Sequence, residues 1–251
     1  MYRSLKSLKN YKIIGADDEI GKLKDFLFEA ETWKIRYLVA EPGSWLSNDE
    51  VQLATTAIDK PDWDTKTFHA ALTRDLVRSA PNIDFEKPVS VEMERSLHTH
   101  YNWPLYYSHG GGIPSAARDP MATTEDIVAT EPTTFPTGAT YQLHSAMKTI
   151  GFAAKAREGD IGSIDDIIID DELWQIRYLV VETAAWVSGK NILVWPEWAD
   201  RVGWQDEAVF LDMYQEHVRN SPEYDPDAPV NREYEERLYD FHGKRRYWKD
   251  R

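Results

Sequence analysis

The sequence predicts a mainly β protein made of two small β-barrels, each with a short helix and a C-terminal amphipathic helix. Three observations lead there. First, Thr32–Glu41 (TWKIRYLVAE) recurs as Leu173–Glu182 (LWQIRYLVVE), so that Trp33, Ile35, Arg36, Tyr37 and Val39 fall on Trp174, Ile176, Arg177, Tyr178 and Val180 at a constant shift of 141 positions. An internal repeat sets the architecture before any single element does. Second, Trp33, Ile35, Tyr37 and Val39 alternate with Lys34, Arg36, Leu38 and Ala40, which is the period of a strand. Third, the other apolar runs are short, closely spaced and punctuated by turn residues, with one helical turn late in the repeat, as in a small barrel.

Taken in order, Gly21–Phe28 (GKLKDFLF) and the stretch from Thr32 form a β-hairpin, since a short connection, Glu29–Thr32, separates two apolar runs. The odd positions of the second strand make one core face, and Leu38 and Ala40 imply partial cover on the other. After the turn signal Pro42-Gly43, Val51–Ala57 and Thr67–Leu72 read as further strands. Thr73 is placed to cap a short helix, Arg74–Ser79, which Pro81 stops. Ser90 caps a helix with Met93, Leu97 and Tyr101 on one face and Glu92, Glu94 and Arg95 turned outward, ending near Asn102.

Ser108–Thr140, rich in Gly, Pro, Ala and Thr, reads as an extended or irregular linker. Beyond it, Phe152–His242 follows Tyr11–Tyr101 without a gap. Ile161-Gly162 matches Ile20-Gly21, Asp166 matches Asp25, Trp186 matches Trp45, Trp204 matches Trp63, and Pro222 matches Pro81. The second repeat also ends in a helix, capped by Asn231, with Tyr234, Leu238 and Phe241 on one face and Gly243 as its stop. The expected domains are therefore 1–107, a linker at 108–140, and 141–251.

The composition is globular: 42% of the 251 residues are hydrophobic, and ten are Trp. Each such ring can bury about 150–250 Å². Twenty-nine basic against 43 acidic residues give a net charge of −14, which repels phosphate backbones and argues against nucleic acid as a partner. The cations at Lys244–Arg246, Lys249 and Arg251 read as a solvated terminus. Without Cys there are no disulfides, thiolate nucleophiles or thiolate metal sites. Met1–Lys12 has no signal-peptide core, and no run reaches the roughly 18–20 apolar residues of a membrane span, so a cytoplasmic protein is expected.

No motif carries chemistry. Gly110-Gly111-Gly112 lacks the Gly-Lys-Ser/Thr of a phosphate cradle, and neither His-Glu-x-x-His nor Gly-x-Ser-x-Gly occurs. His98 and His100 point to different sides of their helix, and His69 and His217 have no recognisable partner. The acidic clusters Asp17–Glu19, Asp165-Asp166 and Asp170–Glu172 lack calcium-loop spacing and read as solvated tips. No catalytic residue, metal or cofactor is expected. Asp25 and Asp166, with Arg36 and Arg177, read as structural ion pairs inherited by duplication. Trp33, Trp174, Trp45 and Trp186 read as core or barrel-end packing. The aromatic segments Tyr101, Trp103, Tyr106 and Tyr107, and Tyr239, Tyr247 and Trp248, read as an exposed protein interface.

Each repeat resembles the PRC-barrel domain, the small β-barrel named for the photosynthetic reaction-centre H subunit. The residues that carry the resemblance are Glu19-Ile20-Gly21, Lys24-Asp25-Phe26-Leu27, Trp33–Val39, Trp45-Leu46, Leu72-Thr73-Arg74 and Ser79-Ala80-Pro81. In the second repeat they are Asp160-Ile161-Gly162, Asp165-Asp166-Ile167-Ile168, Trp174–Val181, Trp186-Val187, Val194-Trp195-Pro196 and Asn220-Ser221-Pro222. The chain looks like the soluble tandem PRC-barrel proteins of bacteria. The gapless duplication, the lack of a catalytic constellation and the aromatic helical tails point to a non-enzymatic interaction or scaffold protein whose two barrels pack as a pseudo-dimer, with a protein partner or self-association. Two other readings follow. One is a peripheral accessory of a photosynthetic or other electron-transfer complex at a membrane; the other is a small-ligand or metal-responsive binding module.

Overall fold

The computed structural model describes residues 1–46, 50–59, 61–81, 89–103 and 140–249. The expected linker lies outside the described residues except for Thr140. The first repeat contributes β1 (Tyr2–Ser4), α1 (Leu5–Leu8), β2 (Lys12–Ile14), β3 (Glu19–Glu29), β4 (Lys34–Pro42), β5 (Val51–Ala54), β6 (Thr67–His69), α2 (Arg74–Arg78), β7 (Val89–Ser90) and α3 (Val91–Tyr101). The second contributes β8 (Thr140–Tyr141), β9 (Leu143–Ser145), α4 (Ala146–Thr149), β10 (Ala153–Ala156), β11 (Gly159–Asp170), β12 (Gln175–Thr183), β13 (Asn191–Val194), β14 (Ala199–Gly203), β15 (Ala208–Leu211), α5 (Gln215–Asn220) and α6 (Arg232–Phe241). The protein is mainly β, with one large sheet and a few helices.

Thirteen strands form that sheet, in the order β14-β15-β10-β11-β12-β4-β3-β2-β6, with β1 on β11, β13 on β12, β5 on β4 and β9 on β3. Its two halves meet where β12 and β4 pair, and those two strands are the repeated stretch itself. The N-terminal strand of each repeat does not join its own half. Tyr2–Ser4 pairs with Ile168–Asp170 of the second repeat, and β9 pairs with β3 of the first. This exchange explains why residues 1–74 and 144–251 form one compact unit, with 75–143 as another. The division differs from the expected 1–107, 108–140 and 141–251, because strand exchange merges what the linear sequence keeps apart.

The long hairpins β3–β4 and β11–β12 carry the core. Their registers shift at equivalent places, between Leu23 and Asp25 and again between Leu27 and Phe28, and between Ile164 and Asp166 and again between Ile168 and Ile169. Each bulge bends the strand and increases its twist. Burial is correspondingly two-sided: Tyr37, Leu38 and Ala40 are fully buried and Val39 is 2% exposed, so the cover that Leu38 and Ala40 imply on the second face is present from Tyr37 onward. Burying each such large apolar side chain contributes about 1.5–3 kcal/mol before entropy is counted.

Three other element boundaries differ from expectation. The chain after Ala54 closes into a single tight helical turn at Thr55–Ala57, the sixth strand ends at His69, and Trp33 lies in the hairpin turn, before β4 begins. In the second unit, β7 pairs with β8 through Val89 with Tyr141 and Ser90 with Thr140. The helix α3 ends where Asn102 turns to φ 54°, and the His100 ring nitrogen Nε2 contacts the Leu76 carbonyl at 2.8 Å. No helix among the described residues is long and apolar enough to cross a membrane.

Candidate functional site

The residues that join the two repeats are the repeated ones. Trp33 and Trp174 both adopt the left-handed region, at φ 57° and 51°. A bulky residue there is strained and persists only when its surroundings hold it. Trp33 is held on three sides. Its N–H donates to the Glu29 carbonyl at 2.8 Å, its ring stacks on Phe28 at 5.3 Å and 14°, and its carbonyl accepts from Ile176 N–H at 3.0 Å. Trp174 answers in kind, its carbonyl accepting from Ile35 N–H at 2.8 Å. Lys34 faces Gln175 in the register between them.

The side chains repeat the same reciprocity. Gln175 Nε2 donates to the Thr32 carbonyl at 2.8 Å, and Lys34 Nζ donates to the equivalent carbonyl of Leu173. Burial, followed by the nearby Arg36, lowers the Lys34 ammonium to about 8.

Asp25 and Asp166 hold the exchanged segments. The Asp25 carboxylate accepts from Ser145 Oγ at 2.5 Å, from Met147 N–H at 3.0 Å and from Phe26 N–H at 2.6 Å. Asp166 accepts from the equivalent Ser4 Oγ, from Lys6 N–H at 3.1 Å and from Ile167 N–H at 2.7 Å. Each aspartate thus fixes the first turn of the other repeat's N-terminal helix, next to the serine that caps it. Burial raises the Asp25 carboxyl, and the three donors oppose that shift.

This placement corrects the expected pairs. Among the described residues the acids that meet the arginines are Glu29, 2.7 Å from Arg36, and Asp170, 3.5 Å from Arg177. Register is the reason: the bulges after Leu23 and Ile164 turn the aspartates toward the incoming segments, while Glu29 and Asp170 end β3 and β11 beside the start of the next strand.

The aromatic residues expected to form an exposed strip pack inward in the second repeat. Tyr239 is fully buried and lies 5.2 Å from Trp198 and 5.0 Å from Trp248, while Tyr247 and Trp248 are half-buried. Around Glu235, itself 1% exposed, three phenols converge: Tyr178 donates at 2.7 Å, Tyr247 at 3.0 Å and Tyr2 at 3.1 Å, with the Arg232 guanidinium at 2.9 Å. Tyr2 also bonds Tyr247. Burial raises the Tyr2 and Tyr178 hydroxyls far above their ordinary value, keeping them neutral donors. The cluster fastens α6 and the C-terminal turn to the exchanged strand β1. A buried carboxylate ringed by donors is a structural anchor.

In the second unit Tyr101 is buried and stacks on Trp103 at 4.2 Å and 16°, whereas Tyr106 and Tyr107 lie outside the described residues. Trp186, expected to pack in the core or at the barrel end, is instead 59% exposed, and Tyr214, which the sequence did not single out, is 56% exposed. The counterpart of Trp186 in the first repeat, Trp45, has the Arg74 guanidinium 5.0 Å from its ring centroid, a contact between residues distant in sequence, and Gln215 stands at the position equivalent to Arg74. Among the described residues no group of three or more His, Asp or Glu is placed to hold a metal ion. Asp17 and Asp18, read as a solvated tip, both bond Arg74.

Comparison with known proteins agrees with the strands at the N-terminus. Residues 2–65 match the PRC-barrel domain. An uncharacterized protein of Deinococcus radiodurans is 33% identical over 99 residues, covering 38% of this chain and 35% of the relative. The matched part is thus about a third of that relative's length.

Proposed function

We propose, with the PRC-barrel domain at residues 2–65 as the premise, that the chain is a non-enzymatic interaction module. Its two repeats are PRC-type barrels packed about a pseudo-two-fold axis, an internal counterpart of a symmetric dimer. The observation that carries this reading is the reciprocity of the seam: Ile35 to Trp174 at 2.8 Å and Ile176 to Trp33 at 3.0 Å are equivalent bonds seen from the two sides. Isologous contacts of this kind are what a two-fold axis produces. The exchanged strands and the paired roles of Asp25 and Asp166 lend it further support.

Affinity purification of the tagged full chain from its native cells, with identification of co-eluting proteins, tests the reading. A stoichiometric protein partner or a second copy of the chain is expected. Recovery of the chain alone, as a monomer, contradicts it.

A further inference from the structure

The two repeats place the same backbone around one position and fill it differently. In the first, Arg74 fills it. Its Nε and Nη2 donate to the Glu19 carbonyl at 2.8 and 2.6 Å, its Nη1 meets Asp18 at 2.5 Å, and its guanidinium lies 5.0 Å from the centroid of the Trp45 ring. The backbone N–H of Arg74 is fixed by Asp17 at 3.0 Å, and Trp45 Nε1 donates to the Ile20 carbonyl at 3.0 Å.

In the second repeat the anchor survives: Gln215 N–H bonds Glu158 at 2.9 Å, as Arg74 does Asp17. The cation does not. Gln215 Nε2 reaches the Asp160 carbonyl only at 3.4 Å, in place of the two short guanidinium bonds to Glu19. The Ile161 carbonyl accepts from Ala184 N–H at 2.7 Å, and among the described residues the Trp186 indole makes no bond to it like that of Trp45 to Ile20. Trp186 stands 59% exposed and makes no hydrogen bond or ring contact among the described residues.

From this internal comparison we infer that the second repeat presents an unfilled guanidinium site, made of the Asp160 carbonyl and the Trp186 face, with Gly159 where the first repeat has Asp18, which receives an arginine side chain of a partner protein. Arginine is the fitting occupant because its planar fork serves a carbonyl and an aromatic face together, which a lysine ammonium does not. The net charge of −14 favours a basic segment in the same direction. The inference rests on the reading of the chain as an interaction module and adds the chemistry of one contact.

The test is a titration of the full chain with the acetylated, amidated tripeptide Gly-Arg-Gly, followed by the NMR resonance of the Trp186 indole N–H, assigned with Trp186→Phe. A saturable shift is expected, weaker by about tenfold or more for the Gly-Lys-Gly peptide. Gln215→Arg supplies the missing cation in cis and should remove the response while leaving the rest of the spectrum in place. No shift with the arginine peptide, an equal response to the lysine peptide, or an undiminished shift in Gln215→Arg would overturn the inference. None of these results bears on the co-purification above, so the two readings fail separately.

Discussion

At the scale of single residues, the two aspartates are the most informative positions. Each accepts a serine hydroxyl and a backbone N–H from a segment 120 or more residues away, and a charged acceptor at a helix start is worth about 1–3 kcal/mol. Asp25→Ala and Asp166→Ala should therefore each cost about 2 kcal/mol in urea unfolding; a loss below about 0.5 kcal/mol would show that the segments are held elsewhere. Gly21 and Gly162 act through space instead. A Cβ on Gly21 would sit 2.2 Å from the Glu41 carbonyl oxygen, and one on Gly162, at φ 147°, 1.9 Å from that of Glu182. Alanine at either is expected to cost about 3–5 kcal/mol.

Two histidines make stability depend on acidity. His144 and His242 are lowered to about 4, mainly by burial, with His217 and Lys244 adding to the shift at His242. Between roughly pH 6.5 and 4 the unfolded chain binds protons at these sites that the folded chain refuses, so stability falls as pH drops through that window and is complete above it. Both rings are half-buried, so about 1–2 kcal/mol apiece is expected after solvent screening. The double variant His144→Phe, His242→Phe should flatten the slope of melting temperature against pH; an unchanged slope contradicts this account.

At the scale of elements, much of the hairpin was legible. Alternation and β-branched content locate β4 and β12, the caps at Asn231 and Gly243 bound α6, and Gly21 recurs as Gly162 because each lies against a neighbouring strand's backbone. What could not be read was which sheet a strand joins. Tyr2–Ser4 has three residues, too few to carry a period, and nothing local tells it to pair with β11 of the other repeat. The misassigned ion pairs have the same origin. Asp25 and Arg36 lie on neighbouring strands, but the bulges decide which side chains meet, and bulges leave little trace in hydrophobic pattern. The aromatic C-terminus was misread as exposed for a related reason: a ring at a surface and a ring folded back onto Glu235 have the same sequence. Truncation of residues 1–8 should consequently destabilise the second repeat, by uncovering Ile168–Asp170 and Asp166, more than the first. Hydrogen exchange should rise at Ile167–Asp170 and stay low at Ile13 and Phe68; the reverse order would contradict the exchange.

At the scale of the whole molecule, the duplication became a seam. Trp33 and Trp174, strained alike, turn their carbonyls outward to the opposite repeat, and short N-terminal segments cross between the halves to close the arrangement. The repeats also differ physically: the Arg74 guanidinium lies 5.0 Å from the Trp45 ring centroid, whereas Gln215 stands at the equivalent position and Trp186 is 59% exposed. The central claim is that the two repeats are locked together by these reciprocal contacts and do not depend on the chain between them. The most direct measurement inserts a protease site between Gly111 and Gly112, cleaves the purified chain and passes it over a sizing column without denaturant. The two fragments should elute together at the volume of the intact protein and separate only in denaturant; two independent peaks under native conditions would contradict the claim.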